Sequence, residues 1–445
     1  MISKLFYIQS ASLRKWICFG FIVLCIQLYL NTGTLSGYAG TLDKPTLYGG
    51  YYVNNDYPQY VANYNFIIGA APQEWERGMV LRRQLMYIWG YPFMHYFGFF
   101  YGSMITILLT IFISFFFFFK FIEREFGEHA AKVSVVLLCT YSGVMYWIGS
   151  PFVQNLIIPL CLAIYFLLYK MQQGSFKFNV FALIIIGILF TGYDLLPLFA
   201  PGILLFILAR KKLPLRNRLL LLPIAIMAFA LPQWLIRYWL IVRGANFVYA
   251  NDDTYKIILT SYLSIFQQLP AWWWRVKQIP ETLYHCYFDS NFLVLPILFL
   301  VGWTGGRLIF KFKLNLIERC LLISILFLFL FNNMAPPYEG EWQMWGDWIA
   351  RIYQAVFIVY MMYMIRLAAY VYKQKRLQIA LTTLFLLTAF FNVLINTGGM
   401  YASSLTSEVY ARFYKQGSPQ SYSTNIKYYG ARPRGFPRHY ENEVK

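Results

Sequence analysis

The chain is poor in charge and poorest in acid. Only 13% of its 445 residues are charged, with 19 Asp and Glu against 38 Lys and Arg, where a soluble domain carries about 25% charged residues. That scarcity excludes an ordinary water-soluble globule. Cysteine pairs are lacking too: Cys18, Cys25, Cys139, Cys161 and Cys320 lie in apolar segments and only Cys286 falls in a loop. No disulfide framework follows, and the cysteines read as small apolar packing residues. The four histidines, His95, His129, His285 and His439, show no metal-ligand spacing, so no metal site is expected from them. No Walker loop, GxGxxG, GxSxG or HExxH occurs, which argues against nucleotide-driven cytoplasmic chemistry. No Asn-x-Ser/Thr acceptor occurs either, in keeping with a bacterial inner membrane.

What is abundant is hydrocarbon: 59% of the chain is hydrophobic and 20% aromatic. Apolar runs fall near residues 16–30, 99–119, 133–148, 152–168, 180–192, 195–209, 219–241, 292–304, 320–332, 350–370 and 378–395. They read as an all-α polytopic membrane bundle of ~11 helices crossing ~30 Å of hydrocarbon. Several runs are short for a solitary span, so tilted, buried or re-entrant helices are expected among them. Residues 1–395 form a single transmembrane domain, and residues 396–445 a loosely ordered basic tail rich in Tyr, Ser, Gly and Pro. The basic start at Lys4, Arg14 and Lys15 before the first run suits a retained helix better than a cleaved signal peptide.

The net charge of +19 does not point to nucleic acid. Basic residues cluster in alternate short loops, including Arg210-Lys211-Lys212 with Arg216 and Arg218. With the N-terminus inside, the positive-inside bias is obeyed, and the three loops 31–98, 243–291 and 333–348 face outward. Membrane lipids are the expected partner of the charge.

The 31–98 loop is long enough to call for a function. Tyr57, Tyr60, Val61, Tyr64 and Ile68 recur at helical spacing, so an amphipathic surface helix is expected, capped by Asn55 or Asp56 with Pro58 in its first turn. A second helix is expected from Pro72, with Glu74 and Glu76 in its first turn, followed by Arg77, Arg82 and Arg83. One reading makes Asp56 a helix cap and the remaining charges solvated. The other makes the loop a site.

The order of these elements resembles the GT-C superfamily of integral-membrane glycosyltransferases, which use polyprenyl-phosphate sugars. The resemblance rests on a first helix, an outer loop with Asp56 and a Tyr-rich helix, and the stretch from Arg82-Arg83-Gln84 to Gly90-Tyr91-Pro92-Phe93. It continues in Arg124-Glu125-Phe126-Gly127-Glu128-His129, in Ser150-Pro151, and in Gly187 to Leu198 followed by basic residues. It covers about residues 1–240. It implies that Asp56 is the catalytic base, with a polyprenyl-phosphate sugar as donor and an outward-facing glycan, lipid or protein as acceptor. Where many members carry a second acidic residue, this chain has Gln154 and Asn155. A divalent cation is therefore the one cofactor left open.

Outward arginines are the candidates for the donor phosphate, which leaves as an anion. These are Arg82, Arg83, Arg275 beside the Trp272-Trp273-Trp274 row, and Arg351 one turn after Asp347. The Trp row equally suits the membrane interface, and Asp347 with Arg351 an intrahelical ion pair. Tyr57, Tyr60, Glu74, Glu76, Gln154 and Asp194 are acceptor or cavity candidates, Asp194 also suiting a turn cap. Two other functions remain in view. A polysaccharide polymerase or ligase would use late outer loops with paired arginines. A lipid-linked oligosaccharide flippase or transporter would need polar residues spread through a two-fold bundle, whereas these runs are nearly free of charge.

Overall fold

The computed structural model describes residues 8, 10–39, 64, 67, 83–140, 153–193, 196–243, 294–334 and 346–372. Among them all regular structure is helical. The first seven helices are α1 (Ala11–Ala39), α2 (Gln84–Phe126), α3 (Glu128–Thr140), α4 (Ile157–Met171), α5 (Phe176–Phe190), α6 (Ala200–Ala209) and α7 (Leu215–Val242). The last three are α8 (Val294–Phe310), α9 (Leu316–Met334) and α10 (Gly346–Val371). Short 3-10 turns, Val153–Leu156 and Leu196–Phe199, lead into α4 and α6. Two helical segments, Tyr101–Phe126 and Leu215–Ile236, are long and apolar enough to cross a membrane. The expected run at 378–395, the 396–445 tail and the Trp272–Trp274 row lie outside the described residues.

Helix starts follow local chemistry. Ser10 accepts from the Leu13 N–H at 3.0 Å and Ser175 from the Phe178 N–H at 3.3 Å, each satisfying one orphan donor of a first turn. Asn315 and Glu318 form a reciprocal box. The Glu318 N–H donates to Asn315 Oδ1 at 2.8 Å, and the Asn315 N–H donates to Glu318 Oε2 at 2.9 Å.

The second helix departs from the expected run at 99–119. Gly98, at φ 74° and ψ 166°, interrupts it, a conformation that favours glycine because it lacks a Cβ. The chain reverses there. Trp89 Nε1 donates to Thr110 Oγ1 at 3.1 Å, and a Cβ added to Gly102 would lie 2.3 Å from Met94 Cα. Residues 84–97 therefore fold back as an arm against residues 99–126, and small residues at the contact let the backbones approach. This corrects the 31–98 loop: its first residues extend α1 and its last fifteen or so, at ~1.5 Å each, descend beside α2's own continuation. Gln84, Gly90, Pro92 and His95 dilute the arm's apolar content, so it reads as loop rather than helix. Gly102→Ala is expected to wedge the two arms apart at a cost of ~1–3 kcal/mol, read as a lowered melting temperature in detergent micelles.

Packing elsewhere uses the same device. Gly187 of α5 faces the Ala228 carbonyl of α7, and Gly202 of α6 faces the Cys320 carbonyl of α9. Ser324 Oγ accepts from the Gly202 N–H at 2.8 Å and donates to the Phe199 carbonyl at 3.1 Å. Cys139, Cys161 and Cys320 are buried as packing residues, but Cys18 and Cys25 are exposed on α1. In a bilayer an apolar side chain can face lipid as readily as protein, so hydrophobicity did not separate the two.

The contacts sort the helix ends into two groups. At one end the Ser10 N–H donates to Glu123 Oε1 at 2.9 Å, Lys170 pairs with Glu125 at 2.5 Å, and Arg366 pairs with Glu318 at 2.5 Å. Arg210 also donates there to the Met171 carbonyl. At the other end Arg243 Nη1 donates to the Ile67 carbonyl at 2.8 Å. The first group is the basic end assigned by the charge bias to the inside. Contrary to the near-absence of charge expected of the spans, Glu318 is 0% exposed, but it sits in the first turn of its helix.

Candidate functional site

The helices α4 and α5 have 15 residues each and α6 has 10, so α4 and α5 rise only ~22 Å from the basic end. The α7 helix, with 28 residues, rises ~42 Å. The ends of the short helices are therefore sunk below the opposite face. The descending arm of α2 brings its own beginning down to that level, about 20 Å below the reversal at Gly98.

There Arg83 immediately precedes Gln84, with φ −96° and ψ 51°, and is 3% exposed. Its guanidinium carbon lies 4.7 Å from the centre of the Tyr193 ring, a cation–π contact suited to the planar guanidinium. Tyr193 follows the turn that ends α5, where the Gly192 N–H donates to the Leu189 carbonyl at 3.0 Å. Gly192 lies against Leu85 and Leu160, closing the turn onto α2 and α4. Gln84, Tyr87 and Asn155 are also buried, so polar side chains from α2 and the approach to α4 enrich the same sunken level. A buried arginine at this depth is costly to keep in a membrane protein, which makes it a functional candidate.

Of the helix expected in the first loop, only Tyr64 and Ile67 are described, each with helical backbone. Tyr64 is buried, its ring 5.7 Å from Phe99, and Phe99 lies 6.4 Å from the Tyr87 ring. Burial and the nearby Tyr91 raise the Tyr64 phenol above its ordinary value, so it stays neutral near neutrality. Ile67 packs on the core. Arg243, whose guanidinium carbon is 5.3 Å from the Trp239 ring centre, ties this segment to the end of α7 through the Ile67 carbonyl.

Asp56, Tyr57, Tyr60, Glu74, Glu76, Arg82, Asp194 and Arg275 lie outside the described residues. Gln154 falls in the turn before α4, and Arg351 lies in α10 four residues after Asp347; their side chains are not described. Arg83 is therefore the arginine candidate with a described environment. Sequence reading missed Tyr193 as its partner and Tyr64 as a neighbour of Phe99. Tyr64 had a signal in its helical spacing, whereas Tyr193 had none beyond standing next to Asp194. Among the described residues, no three His, Cys, Asp or Glu side chains form a group that could hold a metal.

No family model matches the chain, and no curated protein matches it. One solved structure does resemble it. The crystal structure of ArnT from Cupriavidus metallidurans bound to undecaprenyl phosphate is similar at a TM-score of 0.49 and 14% sequence identity. The match covers 95% of this chain and 76% of that one.

Proposed function

We propose that this chain is an integral-membrane glycosyltransferase of GT-C type. It moves a sugar from a polyprenyl-phosphate donor to a glycan, lipid or protein acceptor on the outer side of a bacterial inner membrane. The observation that carries the reading is Arg83, buried below the outer face and stacked on Tyr193. That contact joins two of the stretches on which the GT-C resemblance rests, 82–93 and 187–198. An outward-opening site has no access to cytoplasmic sugar nucleotides, so a lipid-carried donor suits it.

In this reading the acceptor hydroxyl oxygen attacks the anomeric carbon as the bond from that carbon to the donor phosphate oxygen breaks, with inversion. The hydroxyl proton passes to the Asp56 carboxylate, and polyprenyl phosphate leaves as an anion. Arg83, with Arg82, Arg275 and Arg351 as further candidates, meets the charge that develops on the leaving phosphate. Fixed cations in a dry site stabilise such charge more than water does. Tyr193 holds the guanidinium plane.

The test is release of polyprenyl phosphate by the protein reconstituted in vesicles with polyprenyl-phosphate-linked hexose or pentose and an envelope acceptor extract. Arg83→Lys keeps the charge but loses the planar fork and its stacking. It is expected to lower kcat/KM about tenfold, mainly through kcat, because the charge that Arg83 meets develops as the phosphate leaves. An unchanged kcat/KM, with Arg-to-Ala damage confined to the 243–291 loop, would instead support a polysaccharide polymerase or ligase.

A further inference from the structure

The turn from α6 into α7 is built unlike the other basic loops. Arg210, Lys211, Lys212, Arg216 and Arg218 fall within nine residues, and Asp194 is the only carboxylate in the sequence between Glu128 and Asp252. The cluster therefore has almost no acidic residue nearby in sequence to neutralise it. Arg210 is only 5% exposed. One side of its guanidinium donates to the Met171 carbonyl at the end of α4, and its carbon lies 5.6 Å from the Phe206 ring centre. Its Nη1 has no hydrogen-bond partner among the described residues. Burial lowers its pKa to about 10, so it remains a cation near neutrality.

Arg218 Nη1 donates to the Leu208 carbonyl at 2.6 Å, which brings a second guanidinium to the same corner, and its Nε likewise has no partner among the described residues. Lys211, Lys212 and Arg216 are exposed beside them. The turn also leads into the N-terminus of α7, whose free N–H groups and dipole favour an anion.

Directly above the cluster, α7 turns an apolar face outward. Leu215 is 59% exposed and Leu219 52%, with Ile226 and Met227 exposed further along the helix. The opposite face packs on α5, with Phe229 and Phe190 ring centres 4.9 Å apart. A phosphate-sized anion at the turn and hydrocarbon along the helix are the two halves of one molecule.

We propose that the α6–α7 corner is a binding site for an anionic phospholipid, its phosphate held by Arg218 and the Lys211-Lys212-Arg216 rim, with the Arg210 cation buried behind them, and its acyl chains lying along α7. The charge complementarity selects an anionic headgroup over a zwitterionic one, and the long apolar face selects a lipid over a free phosphate. The site lies at the basic end, away from Arg83, and does not depend on the transferase reading.

The test is native mass spectrometry of the full chain released from vesicles of equal phosphatidylglycerol and phosphatidylethanolamine. The wild type is expected to retain phosphatidylglycerol preferentially. The triple variant Lys211→Gln, Lys212→Gln, Arg216→Gln should lose that preference about tenfold or more, since each basic side chain near an anionic surface multiplies affinity by roughly five. The pair Lys311→Gln, Lys313→Gln, which removes two positive charges from another loop at the same end, should retain the preference. Equal retention of both lipids by the wild type overturns the proposal. So does an equal loss in the Lys311/Lys313 variant, which would mark a diffuse field rather than a site. No turnover is read, so failure here leaves the transferase reading untouched.

Discussion

Asp56→Asn is expected to lower sugar transfer by about 10²–10⁴-fold, the usual contribution of a positioned general base, while leaving the protein inserted and folded. Asparagine keeps nearly the same shape and can still cap a helix, so an effect of this size isolates the loss of a proton acceptor from any loss of local structure. The effect should fall on kcat as well as on kcat/KM, because the carboxylate takes the proton only as the acceptor oxygen attacks. Asp56→Ala should be no worse than Asn in turnover, although it also removes the cap. Wild-type turnover in Asp56→Asn would mean that the residue is a cap and nothing more.

The largest expected effect on stability lies at the basic end. Glu318 is fully buried and pairs with Arg366 at 2.5 Å, while Arg366 Nη2 also donates to the Lys313 carbonyl at 3.3 Å. Asn315, which boxes Glu318, donates from Nδ2 to Tyr165 Oη at 3.2 Å. One charge pair thus joins α9, α10 and α4. Removing one partner leaves the other charge buried, so Arg366→Ala is expected to destabilise by ~3–5 kcal/mol. The double change Glu318→Gln, Arg366→Met removes both charges and should recover much of that loss. Thermal unfolding in detergent micelles reads both. If the double variant were as unstable as Arg366→Ala, packing rather than the unpaired charge would dominate the pair.

Much of the helical framework was legible because its signals are local. The apolar runs match helices, as in α5 and α7, whereas the starts at Ser10, Ser175 and the Asn315-x-x-Glu318 box were not picked out from the sequence. The reversal at Gly98 was not legible. Its arm of residues 84–97 carries Gln84, Gly90, Pro92 and His95 and read as part of the outer loop, so its helix and its descent beside the span were missed. Of the Arg83–Tyr193 contact only Arg83 was legible, because the pairing depends on how far that arm descends and how short α5 is. The Glu318–Arg366 pair was hidden for the same reason: each half looks like an ordinary charge near the end of an apolar run. The Trp272–Trp274 row and the carboxylates of the first loop remain readings of sequence.

The central claim is that this chain transfers a sugar through Asp56. Its most direct test is mass spectrometry of lipid-linked and surface glycans from cells carrying the intact protein, its deletion or Asp56→Asn at matched expression. The account predicts that one defined hexose or pentose disappears in both altered strains. A glycan change on deletion that Asp56→Asn does not reproduce would contradict the base and favour a polymerase or flippase, and no change in either strain would contradict the transferase itself.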